Sequence, residues 1–347
     1  MRHGIAQLDE IDSFDTLIDV RSPAEFAEDH IPGALNCPVL DDAQRAEVGT
    51  LYKQVSPFEA RKVGAALIAE NIGHHLREQF HDRPKQWRPL VYCWRGGMRS
   101  GAMVTILRSV GWNAGQLEGG YKTYRQDVVA RLEALPAGFR FRVLAGPTGS
   151  AKTRILQALA RHGAQVLDLE TLACHKGSVL GALPGTPQPT QKWFETALLA
   201  ALQQFDPARP VFVEAESRKI GNLHVPESLI RAIRAGECLV IDASREARVD
   251  FLLRDYAYFP ADPAWLKGRI DTLHGLQSNE TLAAWNSLAD AGGWRALVTD
   301  LLERHYDPLY QRSQGGNYVG MASARHFPAA DLSEPGIEAV AAAILQG

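Results

Sequence analysis

Hydrophobic residues fall along this chain in two alternating patterns. Short apolar runs bounded by turn formers predict buried strands, and longer stretches with apolar side chains three and four apart predict helices. Residues 16–20 (Thr-Leu-Ile-Asp-Val) read as a strand, and Ser22-Pro23 after them as a helix start, with serine as the cap and proline in first position. Residues 90–92 are a second buried strand that runs into Cys93. From Ser100, the set Ala102, Met103, Ile106, Leu107 and Val110 has helical spacing, and Gly111 closes that helix. Between these strands, residues 45–85 or so are polar and helical in pattern.

The pattern breaks at Leu135-Pro136-Ala137-Gly138, which places the expected boundary between a domain of residues 1–135 and one of residues 136–347. A second series follows, with strands expected at 141–145, 165–169, 211–213 and 238–241 and helices between them. Such alternation predicts an α/β fold with mostly parallel sheets covered on both faces. The last hundred residues read as helical, at 264–275, 282–288 and 294–304.

Composition narrows the class. Of 347 residues, 46% are hydrophobic and 22% charged, which excludes wholesale disorder. No apolar run approaches the roughly 18 residues that span a bilayer, so no membrane association is expected. The start of the chain, from Met1-Arg2-His3, soon turns acidic at Asp9, Glu10, Asp12 and Asp15, so a secretory leader is not expected. Four scattered cysteines (Cys37, Cys93, Cys174, Cys238) argue against a disulfide framework and a cysteine-rich zinc site, and point to a reducing cytoplasm.

The net charge is −3, and neither half is basic: residues 1–135 hold 16 Lys/Arg against 18 Asp/Glu. Nucleic-acid affinity therefore has no global electrostatic support. A local cluster exists between Arg77 and Arg108, where seven basic residues face two acids, with Cys93 in its middle.

Cys93-Trp94-Arg95-Gly96-Gly97-Met98-Arg99-Ser100 lies between a buried strand and a helix start. Inward backbone N–H groups and the helix dipole stabilise a thiolate or an oxyanion there. Arg95 and Arg99 add positive charge, and Gly96-Gly97 lets the loop curl. Cys93 is thus a candidate nucleophile, with Arg95, Gly96, Gly97 and Arg99 as anion-binding candidates; Cys37, Cys174 and Cys238 read as structural.

Gly146-Pro147-Thr148-Gly149-Ser150-Ala151-Lys152-Thr153 follows a strand and opens a helix. It has the Walker A pattern except that Ala151 replaces the second glycine. Gly146, Gly149, Ser150, Lys152 and Thr153 are the candidate diphosphate-binding residues; alanine at a positive-φ position would be strained. Asp168, Glu214 and Glu216 are candidate acidic partners, and Mg²⁺ is a candidate companion of the diphosphate, with the metal requirement left open.

Asp19-Val20-Arg21-Ser22, Glu25-Phe26, His30-Ile31-Pro32-Gly33-Ala34, the Cys93 loop and Leu117-Glu118-Gly119-Gly120-Tyr121 together resemble a rhodanese domain. That implies a doubly wound parallel sheet with sulfur or selenium carried at the loop cysteine; Asp19 and Arg21 are then structural, and residues 30–34 a turn. The order of a rhodanese domain followed by a P-loop NTPase-like α/β domain with a helical C-terminal part resembles the tRNA 2-selenouridine synthase family. The strings at 51–61, 92–100, 168–170, 175–178, 187–192, 214–221 and 306–308 carry the match; Ala151 and Lys176 depart from it. The resemblance implies a cytoplasmic transferase of selenium and geranyl groups acting on tRNA with wobble 2-thiouridine. Geranyl diphosphate and selenophosphate would be co-substrates, with no tightly bound cofactor and a selenophosphate-producing enzyme as a partner. The P-loop would hold geranyl diphosphate, the Cys93 loop selenophosphate.

The Cys-x5-Arg spacing also resembles cysteine phosphatases. A phosphatase coupled to a P-loop kinase, a sulfur-relay rhodanese with an accessory ATPase, and a non-catalytic tRNA-binding scaffold are the alternatives.

Overall fold

The structure, a computed structural model, describes residues 4–347 apart from the side chains of residues 313–316; Met1 to His3 lie outside the described residues. The chain divides into two compact units between Arg131 and Leu132. No helix among the described residues is long and apolar enough to cross a membrane.

The first unit runs β1 (Ile5–Ala6), β2 (Thr16–Asp19), α1 (Pro23–Glu28), β3 (Leu35–Asn36), α2 (Asp42–Gln54), α3 (Pro57–Glu78), β4 (Pro89–Tyr92), α4 (Met98–Val110) and β5 (Gly115–Leu117), and α5 (Gly120–Ala134) leads out of it. All five strands are parallel, in the order β1-β5-β4-β2-β3. Neighbouring strand residues feed opposite faces: Ile18 and Val91 pack with Met103, Leu107 and Trp112, whereas Leu17, Leu90 and Tyr92 pack with Leu117 and Tyr121. Both faces are buried, so the strands read as continuous apolar runs.

Ser22 and Glu25 form a reciprocal capping box at the start of α1. Ile31 to Ala34 is a turn with Pro32 second and Gly33 third at φ +80°, closed by Ala34 N–H donating to the Ile31 carbonyl at 3.1 Å. Asp19 and Arg21 are a buried ion pair at 2.6 Å; Arg21 also donates to the Asp29 carbonyl and lies over the Tyr121 ring. Both are structural, as their motif implied.

The second unit begins with β6 (Phe141–Ala145), α6 (Lys152–Arg161), β7 (Gln165–Leu167), α7 (Leu169–Leu172), α8 (Gln191–Gln203) and β8 (Val211–Glu214). A small hairpin, β9 (Lys219–Ile220) with β10 (Leu223–His224), precedes α9 (Glu227–Arg234), β11 (Glu237–Ala243) and α10 (Arg245–Asp255). Then come α11 (Pro263–Asp271), α12 (Asn279–Asp290), α13 (Trp294–Leu301), a π-helical turn at Leu302–Tyr306, α14 (Asp307–Asn317), β12 (Arg325–Ala329) and α15 (Glu334–Gln346). The sheet is again parallel, in the order β12-β11-β6-β8-β7.

Two features depart from the hydrophobic pattern. β7 stops at Leu167 because Asp168 turns out of the strand and caps α7, accepting from Thr171 N–H at 2.8 Å. The C-terminal stretch is not only helical: β12 adds an edge strand. Only Phe327 and Ala329 of β12 are buried, and Pro328 is tolerable because an edge strand has one unpaired side. Helices α11, α12 and α13 build their own core around Trp285, with Leu266, Ile270, Leu282 and Leu297.

Candidate functional site

In the first unit, β4 delivers Cys93 to the base of a loop that ends in α4. Cys93 Sγ accepts from Gly97 N–H at 3.3 Å and from the Ser100 hydroxyl at 3.2 Å. Burial works to raise the thiol pKa, but these donors and the Arg95 N–H outweigh it, and the net shift is downward. The loop is tied down from β5: the Gln116 side-chain amide donates to the carbonyls of Gly96 and Gly97 and to Ser100 Oγ. The start of α5 closes the base, where Tyr121 N–H donates to the Cys93 carbonyl and Lys122 N–H to that of Trp94. Gly120 must be glycine, since a Cβ there would lie 2.2 Å from the Cys93 carbonyl oxygen.

The two arginines differ. Arg95 is exposed at the loop, whereas Arg99 is held by Glu25 at 2.6 Å, and Arg45 approaches the same carboxylate at 3.8 Å. Arg99 is therefore a neutralised partner inside an ion-pair network rather than a free clamp. Cys37 is buried, and burial pushes its thiol up to about 12, which leaves Cys93 as the activated thiol of this unit; Cys238, in the second unit, is buried as well.

In the second unit, β6 ends in the P-loop. Gly146 (φ +157°) and Gly149 (φ +86°) stand against Ser150 and Leu252, where a Cβ would approach to within 2.6 and 2.8 Å. Ala151 is left-handed at φ +57°, and its methyl is buried in the core beneath α6. The strain, about 1–2 kcal/mol, is only partly offset by methyl burial of about 0.8 kcal/mol, and Ala151 holds the left-handed conformation at that net cost. Lys152 Nζ lies back on the Gly146 carbonyl at 3.0 Å. Thr153 Oγ1 sits between Glu170 (2.7 Å) and Glu214 (3.0 Å), and Glu170 N–H donates to Glu214 at 3.1 Å.

Of the acids expected from sequence, Glu214 and Glu216 reach this site, while Asp168 is occupied as a helix cap. Glu170 takes the place beside Thr153; it was missed because its position is set by the one-turn helix that Asp168 starts. Gly177 lies against both remaining acids: a Cβ there would be 2.6 Å from Glu170 Oε1 and 2.6 Å from Glu216 Oε1. Among the described residues no three His, Cys, Asp or Glu side chains converge as a metal-holding set. The hard oxygens of Thr153, Glu170 and Glu214 nevertheless suit Mg²⁺ in type.

Burial, reinforced by the Glu170 charge, pushes Glu216 up to about 7, and burial also raises Glu214 and Glu170. A carboxyl with a native pKa above its unfolded value keeps an extra proton in the folded state. Stability therefore falls as pH rises from about 4.5 towards about 7. Glu216→Gln is expected to reduce that slope, roughly 1 kcal/mol per pH unit, in urea unfolding followed across the window.

The P-loop opens into a cavity of about 850 Å³. Its lining includes the charged side chains of Lys152, Glu170, Lys176 and Glu216 and the apolar and aromatic ones of Phe251, Leu252, Tyr256, Tyr306, Leu309 and Met321. Lys176 Nζ donates to the Asp255 carbonyl at 2.7 Å and lies over the Tyr256 ring. Arg248 braces the loop from α10, bidentate on Asp307 at 2.7 and 2.8 Å, with Nη1 also donating to the Thr148 carbonyl at 3.2 Å. No local motif marks Arg248 or the aromatic wall, because they are drawn together from α10, the π-turn and α14.

A cysteine loop on one parallel α/β unit and a phosphate-type loop on another define a rhodanese-like domain followed by a P-loop domain. The model of the rhodanese-like domain matches residues 5–127, and that of the tRNA 2-selenouridine synthase AAA domain matches residues 139–269. Several relatives are named tRNA 2-selenouridine synthase. That of Nitrosomonas europaea is 38% identical, over 73% of this chain and 66% of its own length. That of Nitrosomonas eutropha is 38% identical, over 69% and 62%. That of Alcanivorax borkumensis is 33% identical, over 85% and 88%. The chain belongs to the tRNA 2-selenouridine synthase family. It spans just under two thirds of the two Nitrosomonas relatives and most of the Alcanivorax one.

Proposed function

We propose that this chain converts wobble 2-thiouridine of tRNA to 2-selenouridine in two steps, through S-geranyl-2-thiouridine. In the first, the thiocarbonyl sulfur attacks C1 of geranyl diphosphate, the C–O bond breaks, diphosphate leaves with the electron pair, and the base loses its N3 proton. In the second, selenium from selenophosphate forms the bond to C2 of the base and the C–S bond breaks. Geranyl thiol departs with a proton, N3 of the base regains one, and the phosphorus passes to water as phosphate, the protons coming from selenophosphate and water. Alkylation turns a poor leaving group into a good one.

The observation that carries this reading is the joining of an anion cradle to an apolar, aromatic wall in one cavity of about 850 Å³. A prenyl diphosphate has this amphipathic shape. Gly146, Gly149, Ser150, Lys152 and Thr153 would bind its diphosphate, with Glu170 and Glu214 holding any accompanying Mg²⁺. Leu252, Tyr306 and Leu309 would line the prenyl chain. Glu216, poised near neutrality at the same cavity, suits the role of acceptor for the N3 proton. In the other unit, the Cys93 thiolate and the loop N–H groups, with Arg95 beside them, would receive selenophosphate. The engagement of Arg99 by Glu25 speaks against a phosphomonoesterase, which needs that guanidinium on its substrate.

Nucleoside mass spectrometry on 2-thiouridine tRNA tests the proposal. With both co-substrates 2-selenouridine is expected, and S-geranyl-2-thiouridine accumulates when selenophosphate is omitted. Unchanged 2-thiouridine, beside an active control enzyme, would overturn it.

A further inference from the structure

The α2–α3 hairpin presents an exposed face that neither candidate site uses. α2 ends at Gln54, Val55 and Ser56 form the turn, and Pro57 opens α3, with the Ser56 hydroxyl accepting from Glu59 N–H at 3.1 Å. So short a connection holds the helices side by side, and Gly64 of α3 lies against Val48 of α2. On the tip stand Tyr52, Val55 and Phe58, exposed by 59%, 63% and 63%. Grouped exposure of large apolar side chains marks an interaction surface.

The charge around the tip says what would bind. Lys53, Arg61 and Lys62 are exposed beside the aromatics. Lys62 pairs with Glu59 and lies over the Phe58 ring, while Lys53 and Arg61 have no ion pair among the described residues. Aromatic faces interleaved with uncompensated cations suit unpaired nucleotides, whose bases stack and whose phosphates need neutralising. A second protein copy would favour an apolar patch without surplus charge.

Position agrees. Arg45, in the first turns of α2, approaches the Glu25 carboxylate that holds Arg99 beside the Cys93 loop. From Arg45 to Tyr52 along the helix is about 10 Å, the span of roughly two nucleotides. The tip thus stands on the same helix that reaches the ion-pair network beside the Cys93 loop.

We infer that the α2–α3 tip is a docking surface for the unpaired nucleotides of the tRNA anticodon loop, with Tyr52 and Phe58 as stacking platforms and Lys53 and Arg61 as phosphate contacts. The inference rests on tRNA being the substrate, as proposed above.

The test is fluorescence anisotropy of the full chain with a labelled anticodon stem–loop and with full-length tRNA. Tyr52→Ala/Phe58→Ala is expected to weaken stem–loop binding by about 30-fold or more, whereas Tyr52→Phe stays within about twofold. Lys53→Ala/Arg61→Ala should lower the slope of log Kd against log salt by about 1.4. Stem–loop affinity within about twofold of wild type for the double aromatic variant would overturn the tip's role. So would that result together with a change from dimer to monomer in sedimentation, which would assign the face to a second copy. Wild-type protein that binds neither RNA would remove the tRNA reading itself, and the tip's role with it.

Discussion

Cys93→Ala is expected to abolish selenation while leaving geranylation of 2-thiouridine tRNA at its wild-type rate. Cys93 combines a lowered pKa with donors fixed on its sulfur, and those donors belong to the loop and the first turn of α4 rather than to solvent. Loss of this thiol should cost on the order of 1000-fold or more in the second step. The assay is single-turnover conversion of S-geranylated tRNA with selenophosphate, read by nucleoside mass spectrometry. Ser100→Ala supplies the graded case. Its hydroxyl is the largest of the favourable influences on the thiol, so removal raises the Cys93 pKa and moves the alkaline shift in thiol alkylation rate to higher pH. Geranylation lost together with selenation in Cys93→Ala would end the division of labour between the two loops.

The mirror-image expectation concerns the P-loop. Lys152→Ala should reduce geranylation by on the order of 100-fold at limiting geranyl diphosphate and leave selenation of pre-geranylated tRNA unchanged. The ammonium rests on the Gly146 carbonyl, within the loop where the diphosphate would sit, and no other lysine or arginine side chain belongs to that loop. Arg248→Gln acts through the same loop at one remove. The Thr148 carbonyl must face away from the anion so that backbone N–H groups face towards it, and Arg248 supplies the donor that holds it there. With that donor shortened, KM for geranyl diphosphate should rise by about 10-fold while kcat changes little. Equal KM values for Arg248→Gln and wild type would show that the loop holds its shape unaided.

Local chemistry made both loops legible from sequence. A glycine-bearing loop between a buried strand and a helix start aims backbone N–H groups at one small region, so Cys93 and Lys152 could be placed before any fold was known. Strand–helix alternation likewise announced two parallel sheets, because a strand buried on both faces leaves a continuous apolar run. Less legible was β12, where two buried residues and a proline carry too little signal to stand apart from the surrounding helices. Asp168 and Glu170 show the limit more sharply. Both are acids at the end of a strand, and a single turn of helix sends one to cap Thr171 and the other to Thr153.

Residue order therefore settled the chemistry of each loop, since backbone N–H groups, a thiol and an ammonium act over a few neighbouring residues. The choice of partners was made by the folded chain. Glu25 against Arg99, Arg248 against Asp307, and an aromatic wall gathered from α10, the π-turn and α14 join segments between 59 and 74 residues apart or more loosely spaced along the chain. No local pattern encodes such pairs, because burial that takes a charge out of water rewards whichever opposite charge the packing of the sheets brings near.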